Sequence, residues 1–418
     1  MKALDQVEAR TIINAANTPG DATNQFIINA PGSYYVTGNI TGVSGKNGIL
    51  INAGNVSIDL NGFTLTGCGL AGITTNGIPQ TNITVRSGVI YASGGVGIDL
   101  GNSYGPLIER VIVMASGNVG MKLGDGSVAR DCISRNNTSH NIVTGVSANL
   151  TRCTAVGSTN GNGIILQGVA IDCVANYNAS FGIAAGDKAL VSHCAAFYNV
   201  GGGIVVGNSA TIANCTVSGT GTAAGTAIGI VTGNAGTVTD CSSSYNTVAY
   251  GIVVNPDSIV RHCTASNNTS AQASSGGIQA LSSSVIGCTA NNNATTNATA
   301  SHLTGMGIYA IGDSTIKNST CNYNKGDGIN VLSNSIVTEN QCNHNGTDGI
   351  YTTGNSNRIE SNHANSNSGF GIHANADFVL RNTASNNSPA GNFFPTSGAG
   401  IAPIQTASTA TNPFANLQ

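Results

Sequence analysis

The sequence predicts an all-β chain wound as a parallel β-solenoid, roughly 15 coils of about 21 residues each. Three recurring features predict it. A nine-residue phrase, VRHCTASNN at 260–268, returns as LTRCTAVGS (150–158), VSHCAAFYN (191–199) and VIGCTANNN (285–293), and in diverged form as VTENQCNHN (337–345). Its fourth column reads Cys132, Cys153, Cys173, Cys194, Cys215, Cys241, Cys263, Cys288, Ser319, Asn340, Asn362, Asn382, and its ninth is mostly asparagine, from Asn137 to Asn387. Gly followed by an aliphatic residue comes four residues later in the uninserted coils, as in Gly182-Ile183 and Gly349-Ile350, and extends back to Gly48-Ile49. No run carries the i, i+3, i+4, i+7 spacing of an amphipathic helix. A single coil cannot bury its apolar face, whereas stacked coils can, and stacking aligns equivalent residues.

Taken in order, residues 1–36 lack the repeat and are expected to cap the open edge of the first coil. Residues 37–387 form the coils. Within each coil the cysteine is expected to be buried as a small apolar filler. Neighbouring residues of a strand face opposite ways, so His262 and Cys263 do not form a nucleophile–base dyad. Stacked cysteines hold their Cβ atoms near the ~4.8 Å strand spacing, beyond the ~3.8 Å of a disulfide, which predicts free thiols. The ninth-column asparagines are expected to stack as an amide ladder beside a bend. Four coils carry insertions at one corner, 138–144, 221–228, 269–276 and 294–306, and residues 388–418, rich in Pro, Ala and Thr, read as a tail packed on the last coils.

Composition narrows the function. The chain is 40% apolar, enough for a large core, and only 8% charged. A net charge of −3 and a pI of about 6.1 give no basic field for nucleic acid. No apolar run approaches the roughly 20 residues that span a bilayer, so membrane insertion is not expected. The opening MKALDQVEARTI puts charges where a signal peptide carries its apolar stretch, so the chain is either cytosolic or has lost its signal.

Stacked asparagines at a bend with Gly-Ile on the next strand make these coils resemble right-handed parallel β-helix proteins of the pectate-lyase-like superfamily. The stretch NRIESNHANSNSGFGIHA (357–374) is similar to that group's carbohydrate-binding and sugar-hydrolysing repeats. FIINAPGSYYVTGNITG (26–42) and VSIDLNGFTL (56–65) resemble the first coils of secreted bacterial members. The resemblance implies a single-stranded right-handed parallel β-helix, a polysaccharide partner and a secreted or cell-surface location. It transfers no catalytic residue. Asp-Asp, Gly-His-Gly and Asp-Pro-His-Asp are absent, and Trp-x-Asp-His is excluded in a chain without tryptophan.

Candidate residues come from the columns. The position before the cysteine alternates in sign through Arg110, Asp131, Arg152 and Asp172, which reads first as a register-fixing ion-pair ladder. Within it Asp240 and His262, one coil apart, are candidates for acid–base catalysis. His302 joins them as the only titratable group of the longest insertion. The eighth column, Tyr177, Tyr198, Tyr245, Tyr323 and His344, is expected to stack outward, either bracing the coils or binding sugar faces. No metal ligand set is apparent, and no cofactor is expected beyond Ca²⁺ if the chain is a lyase. Three functions remain open at this point. They are a secreted polysaccharide-binding protein, a lyase or hydrolase working in a groove beside the loops, and a non-catalytic surface rod. Ice binding through Thr154, Thr216, Thr264 and Thr289 is disfavoured by Val174, Ala195 and Ser242 in the same column.

Overall fold

The computed structural model describes residues 10–221, 227–296, 301–387, 391–395 and 400–418. It is a parallel β-solenoid of about 17 turns. Among the described residues the one helical element is the 3-10 turn Ala407–Thr409, and no helix is long and apolar enough to cross a membrane. The chain forms two compact units, Met1–Asn199 and Val200–Gln418.

In the first unit the Gly-aliphatic marker stacks in parallel register as Ile49, Ile73, Ile98, Met121, Ile142, Ile164 and Ile183. The second unit repeats the stack with Ile230, Ile252, Ile278, Ile308, Ile329, Ile350 and Ile372. These side chains are buried, and each contributes about 1.5–3 kcal/mol relative to an exposed one.

The expected amide ladder is present. In the second unit Asn246 Nδ2 donates to Asn268 Oδ1 at 3.0 Å, Asn293 to Asn324 at 3.0 Å, Asn324 to Asn345 at 3.1 Å and Asn345 to Asn367 at 3.0 Å. In the first, Asn178 donates to Asn199 at 2.9 Å. These bonds also explain the glycine of the second marker. A Cβ on Gly349 would lie 2.7 Å from Asn367 Nδ2 and 2.6 Å from Gly371 O, so no side chain fits. Asparagine and Gly-Ile are therefore two halves of one packing device.

All eleven cysteines are buried and unbridged. The coils from Cys132 to Cys263 turn just ahead of the cysteine, and these and later coils turn again just ahead of the ninth-column residue, on a residue in the left-handed region. Asp131, Arg152 and His193 lie at φ 55°, 50° and 53° in the first unit, and Asp240, His262, Tyr245, Tyr323 and His344 at 52°, 52°, 59°, 58° and 56° in the second. For a residue with a Cβ this conformation costs roughly 1–2 kcal/mol. Outward-facing columns thus come from these bends, not from strand alternation.

A third ladder went unread in the sequence. Ser258 N–H donates to Ser283 Oγ, Ser283 N–H to Ser314 Oγ, Ser314 N–H to Ser335 Oγ and Ser335 N–H to Asn357 Oδ1. It ends on buried Asp377, whose Oδ1 accepts from Asn357 N–H at 2.8 Å.

Parallel pairing extends past the 37–387 limits read from the repeats. Asn24–Ile28 pairs with Asn47–Ile51, and Thr11–Ile12 with Gly32–Tyr35. At the other end Phe393–Pro395 pairs with Ile372–Ala374, and Asn416–Leu417 with Thr383–Ser385. Residues 1–9, 222–226, 297–300, 388–390 and 396–399, parts of the cap, two insertions and the tail, lie outside the described residues. Of the insertions, 269–276 and 294–306 are joined by the short pairing Thr269–Ser270 with Ala294–Thr295.

Candidate active site

The site grows out of the position ahead of Gly-Ile. In two coils of the first unit an asparagine at that position joins coils. Asn47 Oδ1 accepts from Ala71 N–H, and Asn162 Oδ1 from Phe181 N–H, both at 3.0 Å. In the second unit two consecutive coils carry aspartate instead. Asp327 Oδ1 accepts from Asp348 N–H at 3.0 Å, and Asp348 Oδ1 from Phe370 N–H at 2.6 Å. A neutral amide makes this bond elsewhere, so the negative charge is more than the fold requires.

Those charges face rings. The position two residues after the glycine stacks in register as Tyr309, Asn330, Tyr351, His373 and Phe394. His373 Nδ1 lies 3.0 Å from Asp348 Oδ2. From the insertion, His302 reaches over the same wall. Its Nδ1 lies 3.0 Å from Asp327 Oδ1 and 3.9 Å from Asp348 Oδ2, and its ring stacks on Tyr351 with centroids 4.0 Å apart. Described residues hold the loop there: Gly305 N–H donates to Ser275 Oγ at 3.1 Å, and Asn330 Nδ2 donates to His302 O at 2.9 Å. The two imidazoles meet edge to face at 6.3 Å, and His373 is flanked by Phe370 and Phe394.

Together His302, Thr347, Asp348, Ser368, Phe370 and His373, with Gly346 and Gly369, line a cavity of about 270 Å³. Asp327 sits behind the wall with its side chain 0% exposed, while Asp348 is 3% and His302 41% exposed. Burial pushes the Asp327 carboxyl above its ordinary value, and the bonds from His302 and Thr347 pull it partly back. The hydrogen bond to Asp327 holds His302 above its own ordinary value against the opposing effect of burial. Both directions favour retention of a proton by the pair. Burial, then the two aspartate charges, also raises the Tyr351 phenol.

His302 Nδ1 and one carboxylate oxygen each of Asp327 and Asp348 lie within 4.8 Å of one another, close enough for a cation to bridge. The donor set does not suit Ca²⁺, which takes 6–8 oxygens. Asp327 Oδ1 already accepts from His302, Thr347 Oγ1 and Asp348 N–H, and Oδ2 from Asn330 Nδ2. The Asn330 amide presents its nitrogen, not its oxygen, to that carboxylate.

Of the residues singled out in the sequence, only His302 enters this cavity wall. His262 Nδ1 lies 3.6 Å from Asp240 Oδ1 on an open face, with side chains 63% and 52% exposed. Tyr177 stacks on Tyr198 at 5.1 Å, and Tyr323 on His344 at 4.8 Å. All four, and Tyr245, are exposed. In each of these stacked pairs the rings cover one face of each other. Sequence reasoning missed Asp327, Asp348, Tyr351 and His373. The available signal was Asp-Gly-Ile repeated one coil apart, in KGDGIN and GTDGIY.

Residues 250–416 match the family model described as the right handed beta helix region. No curated protein matches the sequence. Among solved structures the chain is similar to the A-module of a mannuronan C-5 epimerase from Azotobacter vinelandii, at 11% identity over 90% of this chain and 92% of that one, TM-score 0.32. It is also similar to tailspike protein 3 of bacteriophage CBA120, at 13% identity over 94% and 60%, TM-score 0.39. An alginate lyase gives 11% identity over 87% and 86%, TM-score 0.36. Such likeness concerns the winding of the chain.

Proposed function

We propose, taking a parallel β-helix with a walled cavity as the premise, that the protein binds a polysaccharide outside the cell or at its surface and performs acid–base chemistry on it. One observation carries the reading: His302 and His373 line one cavity, and each is held through Nδ1 by an aspartate no more than 3% exposed. With Nδ1 committed, Nε2 is the nitrogen left for substrate, and the aspartate fixes tautomer and ring orientation. His302, favoured in its protonated form, serves as the acid. His373 on Asp348 serves as the base. Phe370, which lines the cavity and packs on Phe394, supplies the apolar surface for a sugar ring.

The charge at 327 and 348, where Asn47 and Asn162 make the same coil-to-coil bond without it, supports a chemical role over a purely structural one. In this reading the exposed column Tyr177, Tyr198, Tyr245, Tyr323 and His344 assists retention of the glycan, and the Asp240–His262 pair takes no part in the chemistry.

The test is a glycan panel read for retention, new reducing ends and unsaturated ends. Product formation by the wild-type chain that is lost in His373→Ala is expected. Retention without product would leave a binding module, and neither on any glycan would favour the non-catalytic surface rod.

A further inference from the structure

The geometry points to an uncharged polysaccharide as the substrate of this cavity, cleaved by hydrolysis and not by elimination from a uronate. The inference rests on the reading above and adds the substrate class. Three observations carry it.

The first is the sign of the wall. Asp348 lines the cavity and Asp327 lies directly behind it, while the lining residues include neither Lys nor Arg. A uronate carboxylate brought here meets two aspartates whose cationic partner, His302, is already shared between them. Such juxtaposition disfavours binding unless a further cation intervenes. Lys325, two residues from Asp327 in sequence, is exposed and is not a lining residue.

The second is that the Asp327 oxygens are already occupied by donors that a bridging cation would have to displace. Five polar contacts from four residues fill the Asp327 oxygens, counting the second contact of His302 Nδ1, at 3.2 Å. Elimination needs the uronate carboxyl neutralised so that the adjacent C–H becomes acidic, and His302, the cationic group of this wall, is already committed to Asp327.

The third is what the wall does offer. Ser368 is an exposed hydroxyl, the two imidazoles leave Nε2 available, and the rings of Phe370 and His373 meet at 5.1 Å. Apolar ring faces beside hydroxyl-sized polar partners suit a sugar ring carrying hydroxyl or N-acyl groups.

The step balances without a further reagent. His302 gives its Nε2 proton to the glycosidic oxygen as the C1–O bond breaks. His373 Nε2 takes a proton from the water whose oxygen forms the new bond to C1. One water is consumed, both fragments end in hydroxyls, and solvent returns the proton from His373 to His302.

The experiment sets the full chain against uncharged glycans (laminarin, galactan, xylan, chitooligosaccharides) and polyuronates (polygalacturonate, alginate), with and without EDTA. Asp348→Asn and Lys325→Ala are run in parallel. Asn at 348 retains the coil-to-coil bond, as Asn47 and Asn162 do, so loss of activity in that variant reports charge and not misfolding. The expected result is reducing ends from an uncharged glycan, without unsaturated ends and unaffected by EDTA. Activity should fall at least ~100-fold in Asp348→Asn and stay unchanged in Lys325→Ala. Unsaturated ends from a polyuronate, or activity that requires a divalent cation or Lys325, overturns the inference while the acid–base reading stands. Failure to retain or cleave any glycan overturns both.

Discussion

His262 and His302 each meet an aspartate across coils of the second unit, yet the two pairs live in different solvents. Asp240 and His262 stand 3.6 Å apart at left-handed bends, more than half exposed. Water screens such an exposed pair, which is worth only about 0–1 kcal/mol. His302 stands 3.0 Å from a carboxylate that no water reaches, with its ring stacked on Tyr351. In the second pair every partner of the acid is fixed, so the proton has a defined place. The comparison teaches that spacing alone does not make an acid–base centre. Burial of the acid and its saturation by fixed donors do.

The sharpest way to break that comparison is kinetic. Asp348→Asn should lower product formation at least ~100-fold, while Asp240→Asn leaves the rate unchanged; the reverse result would move the chemistry to the open face. Next in size is stability. Asp327→Ala leaves His302, Thr347 Oγ1, Asn330 Nδ2 and the Asp348 N–H without their acceptor and should cost about 3–5 kcal/mol in denaturant unfolding. Asp240→Ala should stay within about 0.5 kcal/mol.

A smaller effect follows pH. His302 is held above its ordinary value of 6.5, so its contribution to stability is full below that value and is lost as pH rises through its folded-state pKa. The upward shift of Asp327 acts in the same sense, since it too favours the protonated form. Melting temperature should therefore decline as pH rises above about 6.5, and His302→Gln should flatten that slope whereas His262→Gln should not. The smallest effect belongs to the exposed rings. Tyr198→Ala and Tyr245→Ala should each weaken glycan retention about 2- to 10-fold without changing turnover. Unchanged retention would remove that column from the binding track.

The winding was legible in the sequence because core columns repeat. A buried cysteine, a ladder asparagine and the glycine that makes room for its amide recur coil after coil, and one misread coil does not hide the others. The serine ladder from Ser258 to Asp377 escaped notice because Ser, Asn and Asp all accept the same backbone bond and so share no letter. The site escaped for the opposite reason. Asp327 and Asp348 occupy a column whose other members include Asn47, Ala71, Asn162 and Phe181, so as a pattern they look like noise. His302 was found because a titratable group in an insertion stands out. Its acid, 25 residues downstream, is its neighbour only after a coil has closed.

The left-handed bends bear on how such a surface changes over time. Each bend already holds its backbone in a conformation that disfavours most side chains about equally, and each sends its side chain into solvent. A substitution there changes what the coil displays and little of what holds it together. Bends therefore form a rank of mounting points whose side chains can drift while the core columns stay in place.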